Sequence, residues 1–351
     1  MKNNRNIFST VNMKTIQMIS DKLSIDGSSY TGNYEFQNGH SVPIYTIETI
    51  HALNQIIGYA KFINRSYGDV YYRGERRLHQ SLTPSLDRMT KISQEPAGRL
   101  NNLIRKIADD IHMKNELKLS DYDEKTQKEI IEGLLQHYGI STRYVDVVDN
   151  HWIALWMGHY IVEKYKRHIT YYHYKKRSIP VADLIIDHDR LIRTLSRLKQ
   201  DTVSKFSDDM KIHEKVSERQ DVDLYQYILL IAIPGNSERK NTGIFVSDDY
   251  IEIDLRQALP SIFLRPHAQH GWVVRKKPHN GDGYDMSETV IGILKIRIDI
   301  VEQWLGTGEL LTQENLFPPM AYDNGYDLLL KRQDLFEEFK EYDGMQIINY
   351  I

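Results

Sequence analysis

Apolar residues recur at intervals of three and four along TIETIHALNQIIGYAKFI (46–63), which predicts an amphipathic helix leading into a strand at DVYYR (69–73). DEKTQKEIIEGLLQHYG (123–139), acidic at its start and stopped by Gly139, predicts a second helix. A third is expected over HWIALWMGHYIVEKYKR (151–167), capped by Asp149 or Asn150. Farther along, β-branched and aromatic runs bounded by turn formers predict strands at VADLIID (181–187), LYQYILLIAI (224–233), GIFVS (243–247), YIEIDL (250–255), HGWVVR (270–275) and VIGILKIRI (290–298). Helices early and strands late imply an α+β fold around one twisted mixed or antiparallel sheet. Residues 1–45 read as an N-terminal extension and 46–300 as the main domain. Within that domain, 187–222 is a charged insertion of helical pattern. The segment 301–351 is expected to pack on the domain as a helical tail, with YDLLLKRQDLFEEFKEY (326–342) as a surface helix.

Composition narrows the chemistry. The 351 residues carry a net charge of −3, which points neither to a polyanion-coating protein nor to an acidic tail. With no cysteine, disulfides, thiolate nucleophiles and Cys-ligated metal sites are excluded. No stretch approaches the roughly 20 apolar residues of a membrane helix, and MKNNRNIFST lacks the apolar core of a signal peptide, so a cytoplasmic protein is expected.

Candidate functional residues fall in three separated clusters. In VYYRGE, Arg73 puts a guanidinium at a strand end, and Gly74 after it lets backbone approach a ligand closely. LLQHYGISTRYVD (134–146) ends a helix with His137. In an extended stretch, Thr142, Tyr144 and Asp146 then share one face, with Arg143 on the other. FLRPHAQHGW (263–272) brings Gln269 between His267 and His270. Plainer readings stand beside these: a solvated strand edge for Arg73, a buried polar network around Asp146, and a backbone-satisfying amide for Gln269. No regular ligand spacing joins His137, His267 and His270, so no metal is expected. KYKRHITYYHYKKR (164–177) interleaves six Lys/Arg with four Tyr and no acid. Lys175, Lys176 and Arg177 are therefore candidate nucleic-acid contacts, or simply parts of a basic helix end and surface hairpin.

YYRGE with LTPSLDR, then QHYGISTRYVDV with ALW after it, and RPHAQHGWVV resemble the FRG domain family in order over roughly 46–275. Tyr72 stands where that family's signature has phenylalanine. The resemblance implies a layout similar to ADP-ribosyltransferases, with NAD as substrate. On that pattern Arg73 clamps phosphates or ribose, Thr142 orients a ribose, Asp146 and Gln269 stabilise the developing cation, and Tyr72 or Tyr144 stacks on nicotinamide. Gly74, His137 and Arg143 complete the binding wall. An amide at 269 accepts a hydrogen bond but does not take a proton. Two functions follow: an ADP-ribosyltransferase or NAD-cleaving enzyme in bacterial or phage conflict, with a protein or nucleic-acid acceptor, or a non-catalytic sensor of nucleotide or nucleic acid.

Overall fold

The computed structural model describes residues 16–90, 94–166, 170–177, 224–234, 238–277, 283–306, 311–319 and 321–332. The antiparallel pair β1 (Ser28–Glu35) and β2 (Ser41–Ile47) precedes α1 (Ile50–Asn64). The Thr49 hydroxyl caps α1 by accepting from the Ala52 amide, and the helix buries Leu53, Ile56 and Ile57 before the chain enters β3 (Val70–Glu75). After α2 (Ser85–Thr90), α3 (Glu95–Asp109) and α4 (Ile111–Glu116), Asp123 caps α5 (Glu124–His137) with a 2.7 Å bond from the Thr126 amide. Helix α5 stops where Gly139 adopts φ +93°, a conformation that favours glycine. β4 (Val145–Val148) and α6 (His151–His159) follow, the latter capped by Asn150.

The rest of the chain is mainly strand: β5 (Tyr160–Lys166), β6 (Thr170–Lys176), β7 (Tyr225–Ala232), β8 (Glu238–Asn241), β9 (Ile244–Val246) and β10 (Tyr250–Asp254). Two short helices, α7 (Leu255–Ala258) and α8 (Leu264–Ala268), precede β11 (Gly271–Lys276) and β12 (Val290–Arg297). Helices α9 (Ile298–Leu305), α10 (Gln313–Leu316) and α11 (Asn324–Lys331) end the described chain.

Ten strands form one mixed sheet in the order β1-β2-β12-β7-β3-β4-β11-β10-β9-β8. Among the described strand pairings only β12–β2 is parallel. The fold is α+β. Helices α1 and α6 cover a core with Tyr72, Leu230 and Leu294, while α3 and α5 cover another with Ile253 and Val273. A third core, containing Tyr71, Val147, Trp272 and Ile293, holds side chains that alternate with those of the first two. At the centre, β3 pairs with β7 along its whole length but meets β4 at a single residue pair, Tyr72 with Val148. Arg73, His137, Asp146 and Gln269 come together at this divergence.

Several expectations change. Residues 28–47 are not a separate extension, because β1 and β2 are strands of the main sheet. The third helix stops at His159, and YIVEKYK becomes β5, paired with β6 in a separate two-stranded sheet. The charged insertion and the VADLIID strand lie outside the described residues, as does the tail beyond 332. The described start of the tail is not a surface helix, since Tyr326 and Leu329 of α11 are buried in the α3–α5 core.

Candidate functional site

Where β3 and β4 part, the Arg73 guanidinium bridges the gap. Its Nη1 donates to the Asp146 carbonyl at 2.7 Å, and its Nε donates to Glu75 at 2.6 Å. Burial alone would lower the Arg73 pKa, but Glu75 and then Asp146 outweigh it, so the guanidinium holds its proton more tightly than usual. Gly74 serves packing. A Cβ there would lie 1.8 Å from the Ala154 carbonyl oxygen, so the glycine lets α6 lie directly on β3.

A cavity of about 430 Å³ opens at this point and brings Arg73, Asp146, Gln269, His137, Tyr72 and Gly74 to one wall. Behind it runs a chain of hydrogen bonds. The Thr142 hydroxyl donates to Gln136 Oε1 at 2.6 Å, and Gln136 Nε2 donates to Asp146 Oδ2. Thr142, fully buried, therefore acts on Asp146 through Gln136 rather than on the cavity itself. His137 Nδ1 stands 3.8 Å from Asp146 Oδ1, and its ring fills the space that a side chain at Gly271 would need. Buried and without a hydrogen-bond partner among the described residues are Asp146 Oδ1 and His137 Nε2. Both atoms belong to residues that line the cavity and are open to a further hydrogen-bond partner there.

Gln269 is not on a strand: it caps α8 just before β11. Its Nε2 donates to the Leu316 carbonyl at 2.7 Å, the backbone-satisfying role, and leaves Oε1 as the atom able to serve a ligand. Tyr174 and Phe317, stacked with ring centroids 4.4 Å apart, line the same cavity. A second cavity of about 440 Å³ adjoins the first and shares Arg73, Ser85, Gln136 and Asp146 with it.

Other candidates lie elsewhere. Arg143 turns away, pairing with Glu132 at 2.8 Å and bonding Asn101 on α3, and lines a different cavity. The Tyr144 phenol is buried against Glu129 at 2.7 Å, burial pushes its pKa well up, and the residue lines the second cavity rather than the first. Both residues precede β4, so the strand alternation expected from Thr142 to Asp146 does not hold there. Tyr72 borders the first cavity but is 0% exposed, its ring edge-on to His151, and so is not free to stack on a ligand. Arg177 is also buried, donating to the carbonyls of Gly158 and Tyr225, which removes it from any nucleic-acid surface. Lys175 and Lys176 are exposed, with Lys176 paired to Glu302 at 2.6 Å. His270 belongs to a separate network, 2.9 Å from Asp149. Among the described residues no group of three or more His, Asp or Glu side chains is placed to hold a metal ion, and no helix is long and apolar enough to cross a membrane.

Glu75, Gln136, Tyr174 and Phe317 complete the site without having been singled out. Glu75 and Gln136 sit inside the motifs already quoted, where a strand-end acid and a helix-end amide beside Arg73 and Thr142 were available signals. Phe317 carries none, because it reaches the cavity from a segment with no polar motif of its own.

The chain is thus an α+β protein with a charged double cleft at the point where two parts of a central sheet diverge. An FRG domain is present over residues 68–167, a span narrower than the one the motifs suggested. It contains Arg73, Gln136, Thr142 and Asp146, while Gln269 and Phe317 lie beyond it. No curated protein and no solved structure matches the chain.

Proposed function

We propose that the protein is an ADP-ribosyltransferase-like or NAD-cleaving enzyme whose reaction centre is the cavity between Arg73, Asp146 and Gln269. The observation that carries this reading is the convergence of those three residues, drawn from separated segments, around a carboxylate with one unpartnered oxygen. In the reaction the C1′–nitrogen bond of NAD breaks, nicotinamide leaves with the bonding electrons, and water or an acceptor adds to C1′ while its proton passes to a base or solvent. Asp146, held by Gln136, faces the positive charge that develops on the ribose. Gln269 Oε1 accepts from a ribose hydroxyl, Arg73 holds oxygens of the substrate, and the Tyr174–Phe317 pair supplies an aromatic surface. The cavity volume falls within the range of about 300–1,000 Å³ typical of small-molecule sites.

Purified protein incubated with labelled NAD is expected to release nicotinamide. Asp146→Asn should cut the rate by about a hundredfold or more with an unchanged melting temperature. Equal rates in wild type and variant would refute the assignment of Asp146. A nucleotide sensor is the second reading, favoured by the commitment of Gln269 Nε2 to a backbone carbonyl. Tight NAD binding with no release of nicotinamide would select it.

A further inference from the structure

The second cavity carries chemistry that the reaction centre leaves unused. Three guanidiniums face it, from Arg73, Arg77 and Arg88, together with the hydroxyl-bearing residues Ser81, Thr83 and Ser85. Two carboxylates, Glu75 and Asp146, share the lining and offset part of that charge. Glu75 is engaged by Arg73, the Arg88 guanidinium donates to the neutral carbonyl of Thr83, and exposed Arg77 makes no hydrogen bond or ion pair with any described residue. Burial, and then the nearby Arg73, lower the Arg88 pKa, while Glu75 and Asp87 partly oppose them. An anion placed between Arg73 and Arg88 would relieve their repulsion and accept from planar donor forks suited to phosphate. Phe36, Leu78 and Leu229 add apolar wall on which a heterocycle can lie. Because Arg73 borders both cavities, one molecule can occupy the two at once.

We infer that this cavity is a diphosphate subsite that takes a nucleoside diphosphate group, an assignment that rests on the nucleotide reading of its neighbour. Phosphate contacts to Arg77 and Arg88 then select a substrate bearing a pyrophosphate over a nucleoside or a mononucleotide.

The test is calorimetric binding of ADP, inorganic pyrophosphate and adenosine to the full chain at fixed ionic strength. ADP should bind, adenosine should bind at least about tenfold more weakly, and pyrophosphate should compete with ADP. Arg88→Gln and Arg77→Gln should each weaken ADP by about tenfold, the worth of one charge-assisted contact, without altering the affinity for adenosine. Arg77, exposed and unengaged, keeps the test open if Arg88→Gln disturbs the fold. Absence of ADP binding, equal affinity for ADP and adenosine, or indifference of both variants to ADP would overturn the subsite. ADP has no nicotinamide to lose, so the two readings fail separately. ADP binding that needs Arg88, without nicotinamide release from NAD, defeats only the enzyme. Nicotinamide release with charge-blind ADP binding defeats only the subsite.

Discussion

Replacing Gly74 by alanine separates two explanations of the Arg-Gly pair at the end of β3. If the glycine exists to admit a ligand, the variant should fold normally and lose binding. The structure gives it a different task. An added Cβ would lie 1.8 Å from the Ala154 carbonyl oxygen and 2.8 Å from the Gly158 nitrogen, both backbone atoms that no rotamer change can move. Restoring a van der Waals separation requires α6 to retreat by roughly 1–1.5 Å, which strips contacts from Ile153, Leu155 and Trp156 in the core beneath it. Overpacking against adaptable side chains costs about 1–3 kcal/mol, so backbone on both sides puts Gly74→Ala at about 3 kcal/mol or more. Gly58 in α1 is the control: it is exposed, and nothing lies within 4 Å of its added Cβ. Gly58→Ala should therefore stabilise by up to about 1 kcal/mol through helix propensity. Urea unfolding followed by circular dichroism reads both, and with a slope of about 3 kcal/mol/M the Gly74 variant should lose about 1 M in midpoint. A Gly74→Ala protein that unfolds with the wild type, yet no longer binds nucleotide, would refute the packing account and restore the ligand-approach one.

Three further outcomes are expected. Asp87 is buried with one oxygen unpartnered, and burial pushes its pKa up to about 6. Because that value lies above the unfolded one, its contribution is fully present below about pH 4 and is lost as pH rises through about 6. Asp87→Asn should thus gain up to about 2–3 kcal/mol over wild type at pH 7.5 and nothing at pH 4, read from paired melts. Thr142→Val breaks the bond that orients Gln136, and should lower nicotinamide release about tenfold while costing about 1–2 kcal/mol of stability. Thr142→Ser should restore both, and unchanged turnover in the valine variant would sever Thr142 from the site. Arg177→Ala should destabilise by about 2–5 kcal/mol because it empties a buried, hydrogen-bonded position, whereas exposed Lys175→Ala should stay within about 0.5 kcal/mol. Equal melting temperatures for those two variants would return Arg177 to the surface.

Periodicity was most informative where one face of an element is buried and the other is not. Helices α1 and α5 announce themselves by apolar spacing and by the Thr49 and Asp123 caps, and β7 and β12 by runs of Ile, Leu and Val. The boundary of α6 was hidden because YIVEKYK satisfies a helical pattern as well as a strand one, and its pairing with β6 decides between them. Strands β1 and β2 escaped notice for another reason: β1 is largely exposed and polar, so its place depends on β2 rather than on its own residues. At the site, the residue types were readable but their directions were not. Thr142, Tyr144 and Asp146, expected on one strand face, take separate partners because β4 begins only at Val145: Thr142 bonds Gln136, Tyr144 is drawn to Glu129, and Asp146 is left at the first cavity. Likewise, no local feature of Phe317 reports that α10 delivers it to Tyr174.

The single pairing of Tyr72 with Val148 makes the middle of the sheet its line of least bending stiffness, with five strands forming a leaf on each side. Several contacts tie the two leaves: the seat of α6 on Gly74, the donation from Arg73 to the Asp146 carbonyl, and Tyr71 of β3, bonded to Glu252 on β10 and packed on Trp272 of β11. A molecule that competes for the guanidinium would replace one of these ties and leave the Tyr71 contacts in place.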